Sequence, residues 1–156
     1  MNIKITEIQE INKKSIITKD ILSQLPAWFG IKSEILQYAS GVKNKLFIIA
    51  EDDFKKAVGF IAVSDLNTFT SEVYLLGVLP EYRGHGIGRK LIEFAWNNNV
   101  ESNKKYLIVK TLDESTGDKY YEETRKFYEA VGFSPLFSTT KIWDDKNPCL
   151  IMIKDR

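Results

Sequence analysis

Histidine and cysteine are almost missing from this chain: His85 and Cys149 are each the sole residue of their kind. A lone cysteine precludes an internal disulfide and agrees with a reducing compartment. Without a second histidine, a cysteine cluster or a spaced set of carboxylates, no metal site is expected. Cys149 sits in the apolar run Cys149-Leu150-Ile151-Met152-Ile153, which predicts a small core-facing strand residue rather than a reactive thiol. A charge excess is lacking too. The 22 Lys and Arg against 21 Asp and Glu leave a net charge of +1, with basic residues scattered, so neither nucleic acid nor an anionic membrane is an expected partner. No stretch approaches the ~20 apolar residues of a membrane span. The first residues, Met1-Asn2-Ile3-Lys4-Ile5, alternate like a strand and lack the apolar centre of a secretory signal. These absences predict a cytoplasmic protein, and the abundance of Lys, Ile and Asn suggests an AT-rich bacterial genome. With 156 residues one core needs no staples, so a single domain over 1–156 is expected, as a monomer or homodimer.

Periodicity then gives the order of elements. A strand is predicted at 2–8, and two short helices between Thr18 and about Ser40, interrupted by Leu25-Pro26-Ala27-Trp28-Phe29-Gly30. Strands at 45–51 and 56–65 flank the polar turn Asp52-Asp53-Phe54-Lys55 and form a hairpin. A strand over 72–79 continues the meander, followed by a helix at 86–99, a strand at 105–111 and a helix at 119–131 that ends on Gly132. Strands at 136–143 and 149–154 complete an α/β (α+β) domain with a mixed seven-stranded sheet and about four helices.

The richest stretch is Val78-Leu79-Pro80-Glu81-Tyr82-Arg83-Gly84-His85-Gly86-Ile87-Gly88-Arg89. It follows the apolar strand Glu72-Val73-Tyr74-Leu75-Leu76-Gly77, and Ile87, Leu91, Ile92 and Ala95 recur at helical spacing after it. Glycines at alternate positions clear side chains from the turn, so free N–H groups of the helix's first turn can point at an anion such as a diphosphate. Arg83 and Arg89 add positive charge at the rim. A dinucleotide fingerprint would place an acidic residue at the end of the following strand. Here that strand, Lys105-Tyr106-Leu107-Ile108-Val109-Lys110, ends in lysine.

Arg83-Gly84-His85-Gly86-Ile87-Gly88, preceded by Val-x-Pro-Glu-Tyr, resembles the Arg/Gln-x-x-Gly-x-Gly/Ala cofactor motif of the GNAT acyltransferases. Arg125-Lys126-Phe127-Tyr128-Glu129-Ala130-Val131-Gly132-Phe133 resembles the Phe-Tyr-x-x-x-Gly-Phe segment that closes the cofactor site in that family. The resemblance is specific over Glu72 to Phe133. It implies a mostly antiparallel seven-stranded sheet, splayed between the fourth and fifth strands, where acetyl-CoA enters.

By this resemblance the diphosphate rests on Gly84 to Arg89, with His85 at a variable position facing solvent or phosphate. The pantetheine arm pairs with the backbone of Leu76, Gly77 and Val78, and the Val78 N–H faces the thioester carbonyl. Gly77, inside an otherwise bulky strand, is read as a bulge or a place of close ligand approach. Tyr128 matches the family's general acid beside the CoA sulfur, and Tyr121 stands where many relatives carry an asparagine that binds the arm. An acceptor amine must lose a proton before attack, and Glu72 is the candidate base, because unbroken strand alternation puts it on the face of Val78. The glutamate that one branch of the family uses on the next strand is Ile108 here.

The acceptor side, again by resemblance, draws on the first helices and the end of the chain. Trp28, Phe29 and Trp143 are candidate walls, with Asp144 and Asp145 nearby; Trp28 and Phe29 read equally as plugs between helix and sheet. Three functions compete. One is acetyl-CoA-dependent N-acetylation of a small primary amine in a ternary complex. The others are acetylation of a protein lysine or N-terminus, and non-catalytic acyl-CoA binding. Glu72 and Tyr128 beside an intact cradle favour catalysis, and the near-neutral charge favours a small acceptor.

Overall fold

The computed structural model describes residues 1–156. Strand β1 (Lys4–Glu7) is followed by helices α1 (Ile11–Leu22) and α2 (Lys32–Gly41), then by β2 (Leu46–Glu51), β3 (Ala57–Asp65) and β4 (Thr70–Val78). Helix α3 (Ile87–Glu101), β5 (Tyr106–Leu112), α4 (Lys119–Ala130), β6 (Ser134–Asp144) and β7 (Asn147–Asp155) follow. The sheet runs β1-β2-β3-β4-β5-β7-β6. Every neighbouring pair is antiparallel except β4 and β5.

Helix α1 begins earlier than the expected Thr18. Glu10 caps it, its carboxylate accepting from the N–H groups of Asn12 and Lys13 at 3.0 and 2.8 Å. Ile17, Ile21 and Leu22 turn inward. Polar Lys14 and Thr18 hide the pattern because they too are buried and satisfied, Lys14 Nζ donating to the Lys45 carbonyl at 2.7 Å and Thr18 Oγ1 to the Lys14 carbonyl at 2.8 Å. The break at 25–30 is a turn, as expected. No helix is long and apolar enough to cross a membrane.

The parallel seam is short. β4 and β5 pair only from Thr70↔Tyr106 to Val73↔Val109, after which the strands diverge, and this is the expected splay. A second feature of β4 corrects the sequence reading. Ala62 faces Leu75 while Val63 faces Val73, so Tyr74 is one extra residue, a β-bulge. Gly77, in contrast, keeps its register opposite Phe60. A Cβ on Gly77 would stand 3.2 Å from each of Ile21 Cγ2, Leu25 Cδ1 and Phe60 Cε1, so this glycine lets α1 lie close on the sheet rather than marking a bulge. Because the extra residue at Tyr74 breaks the alternation, Glu72 and the Val78 side chain lie on opposite faces. The Val78 side chain turns toward Ile87 of α3, whereas Tyr74 and its neighbour Glu72 face α2.

Helix α4 ends in a Schellman motif. Phe133 N–H donates to the Tyr128 carbonyl at 2.9 Å and Gly132 N–H to Glu129 at 3.1 Å, with Gly132 at φ +104°. Tyr128 and Phe133 supply the accompanying apolar contact, their rings edge to face at 5.3 Å. Arg125 ties the helix to the end of β5, donating to the Leu112 carbonyl at 2.6 Å. Cys149 is fully buried on β7, as expected, and burial raises its thiol above its ordinary range.

Candidate active site

A cleft of about 790 Å³ follows the splay from the glycine turn to the α1–α2 turn. At one end, Gly84 and Gly86 have φ of +77° and +76°, with nothing within 4 Å of either Cβ position. A side chain at Gly86 would strain the backbone and occupy the open space. No side chain caps α3, and its first intrahelical bond is Lys90 N–H to the Gly86 carbonyl, so the N–H groups of Ile87, Gly88 and Arg89 remain free. Both arginines are held. Arg83 stacks 4.3 Å over the Trp28 ring, and Arg89 donates to the Ala130 carbonyl at 3.2 Å. Gly84 and Gly86 to Arg89 line the cleft, while His85 is exposed and does not.

The unpaired edge of β4 forms one wall. Leu79 N–H donates to the Val58 carbonyl at 2.9 Å. Alternation in an antiparallel ladder therefore turns the polar groups of Gly77 toward β3, and those of Leu76 and Val78 toward the gap. Across it lies Thr111 of β5, two positions beyond the last parallel pair. Its Oγ1 is the one buried side-chain polar atom with no partner in the chain, and Thr111 lines the cleft.

Tyr128 is 6% exposed. Its ring is fixed edge to face between Phe127 and Phe133 at 5.3 Å from each, and its hydroxyl, which bonds nothing in the chain, opens on the cleft. Desolvation, with the Tyr121 phenol a lesser cause, lifts it well above the ordinary tyrosine range. Such a phenol is a poor acid in the ground state; it serves as a hydrogen-bond donor that yields its proton only as negative charge appears beside it.

Glu72 is nearly buried and pairs with Lys110 of β5, Oε2 to Nζ 3.3 Å. The parallel pair Glu72↔Ile108 brings the two together. Sequence reading noted Lys110 only as a basic strand end; its partner, far away in the chain, gave it no role. Phe29, Tyr38 and Tyr74 then form a run of edge-to-face rings, 5.8 Å between successive centroids. Tyr74 escapes notice in the sequence as one bulky residue of an apolar strand, and Tyr38 because no motif beside it in the chain marks it. Burial raises both phenols, and the Glu72 carboxylate adds to the effect at Tyr74.

Trp28 is more strut than free wall. Its Nε1–H donates to Thr124 at 3.1 Å, its ring meets Tyr120 at 5.2 Å, and Arg83 covers one face. Tyr121 faces the cleft beside it. Trp143 lies on β6, as the strand expected at 136–143 implies, half exposed, and also lines the cleft.

An αL glycine turn running into an uncapped helix, an open strand edge and a buried phenol are thus gathered in a single cleft. A family model for the acetyltransferase (GNAT) domain matches residues 43–135, which contain both sequence motifs. The chain belongs to the GNAT acetyltransferase family. An uncharacterized N-acetyltransferase from Archaeoglobus fulgidus is 45% identical over 65 residues, 37% of this chain and 43% of that one; the matched stretch thus spans under half of that relative's length. Among solved structures, a GNAT-family protein from Desulfovibrio desulfuricans superposes with a TM-score of 0.84 at 16% identity, covering 99% of each chain. An aminoglycoside 6′-N-acetyltransferase complexed with coenzyme A gives 0.77 at 19% identity, over 97% of this chain and 96% of that one. A GNAT family acetyltransferase from Elizabethkingia anophelis with acetyl-CoA bound gives 0.68 at 18% identity, over 99% of each. At these identities the likeness is one of fold.

Proposed function

We propose that this protein transfers the acetyl group of acetyl-CoA directly to a primary amine of a small molecule within a ternary complex. The observation that carries the reading is the polar edge of β4 beyond Val73, left unpaired and facing a gap between the glycine turn and the Glu72–Tyr128 region. An extended amide-bearing arm fits that edge as an inserted strand would, pairing with Leu76 and Val78, with the orphan Thr111 hydroxyl across the gap as a further partner. The free N–H groups at Gly86 to Arg89 suit a diphosphate, and the held guanidinium of Arg83 adds charge at that end.

The chemistry follows from the same residues. Glu72 takes a proton from the acceptor ammonium, through a water if not directly. The freed amine attacks the thioester carbon, and the Val78 N–H stabilises the oxyanion, an interaction worth about 3 kcal/mol in comparable sites. The bulge does not impair this pairing of roles, because the N–H lies in the plane of the gap and is reached from either face. As the C–S bond breaks, Tyr128 donates its proton to the departing sulfur; the second proton of the attacking nitrogen, shed as the amide forms, restores the phenol through water, and Glu72 passes its proton to solvent.

Calorimetry with coenzyme A and thiol release from acetyl-CoA across an amine library test the reading. Wild type should bind and release thiol, and Gly86→Val, which crowds the turn, should lose most of its CoA affinity. Unchanged affinity in that variant would remove the cradle from the site.

A further inference from the structure

Resting on the acetyl-transfer reading above, we infer that the acceptor is an amino acid, whose amino group meets Glu72 and whose carboxylate meets Lys110. Both side chains line the cleft and lie 3.3 Å apart, and on this reading they are the floor of its acceptor half. They differ in burial. The Glu72 side chain is 12% exposed and that of Lys110 35% exposed, and Lys110 Nζ bonds no other atom of the chain.

A cation at this place works against a simple amine. An acceptor that brings its ammonium to Glu72 also brings it close to the Lys110 ammonium, and in a partly desolvated cleft that like-charge contact is unfavourable. A second positive charge on the acceptor, as in a polyamine, makes it worse. An α- or β-amino acid removes the conflict. Its two charged groups are as closely spaced as Glu72 and Lys110, so each meets its opposite and the existing ion pair opens into a four-charge array. Around this floor the surfaces are apolar and aromatic, from Phe29, Tyr38 and Tyr74, which suits an uncharged side chain. Glu123 lines the cleft and draws the ammonium end inward first.

The experiment compares matched acceptors. Thiol release from acetyl-CoA by the full chain is measured with L-phenylalanine, L-leucine and L-methionine, and with the decarboxylated amine and the carboxamide of each. The amino acids should exceed their partners in kcat/KM by about 10- to 100-fold, the range of one charge-assisted hydrogen bond. Lys110→Met should collapse that ratio toward one, and Lys110→Arg should preserve it. A wild-type ratio at or below one, or a ratio that survives Lys110→Met, overturns the inference and leaves acetyl transfer standing. If acetyl-CoA binds but no acceptor of either kind releases thiol, the inference also falls. If acetyl-CoA does not bind, the transfer reading falls with it.

Discussion

Replacing Gly77 with alanine separates two uses of a strand glycine. If Gly77 exists to let a ligand approach, the methyl group should weaken CoA binding; if it exists to seat α1, the methyl should weaken the fold. Three carbons surround the new Cβ at 3.2 Å, against an ordinary contact of about 3.5–4.0 Å. Each neighbour must therefore move by several tenths of an ångström. Ile21 and Phe60 are 0% exposed and held in the core, so they can give little, and only Leu25, which borders the cleft, has room to shift. Overpacking of this kind costs about 1–3 kcal/mol, while the less flexible unfolded chain returns about 0.4–1 kcal/mol. The expected net loss is about 1–2 kcal/mol, or about 2–8 °C in Tm for a chain of this size. Urea unfolding and thermal melting of the free protein give the stability, and calorimetry gives the CoA affinity. The Gly77 polar groups pair with β3, so affinity should change less than threefold, roughly 0.6 kcal/mol. An unchanged Tm together with a large loss of affinity would refute the packing argument and return Gly77 to the ligand.

Three further outcomes test the site. Tyr128→Phe should lower kcat by about 10²–10⁴-fold while coenzyme A still binds; in wild type, the raised hydroxyl stays protonated past the ordinary phenol range, so it should impose no alkaline limb below about pH 10. Glu72→Gln should slow the neutral-pH reaction and recover in part as pH rises, because a free amine needs no base; an unaltered pH–rate profile would relieve Glu72 of that role. Thr111→Val should leave the free protein as stable or slightly more so, since the orphan hydroxyl is removed, yet lower CoA affinity by about 5- to 30-fold; equal affinity would show that the hydroxyl meets no ligand.

The parts of this fold that could be read from the chain are those in which local chemistry decides. The glycine turn, the start of α3, the β2–β3 hairpin and the Gly132 stop each depend on residues a few positions apart. What escaped depends on pairing across the chain. The Tyr74 bulge exists only against the β3 ladder, so counting by twos from Glu72 to Val78 gave the wrong face. The role of Gly77 is set by α1, whose own start was obscured by a buried lysine and threonine. Lys110 and Thr111 gain their meaning only once β5 lies beside β4: one meets Glu72, and the other is left without a partner.

The seam between β4 and β5 consists of four residue pairs, and the rest of the sheet hangs on either side of it like two leaves of a book. On the function proposed here, the arm of acetyl-CoA is the missing length of spine. Its binding would join the leaves, adding to their cohesion about 2.7 kcal/mol when the free cofactor stands a hundredfold above its Kd. The metabolic supply of acetyl-CoA would then govern not only how fast the protein works but how long each copy resists unfolding and digestion.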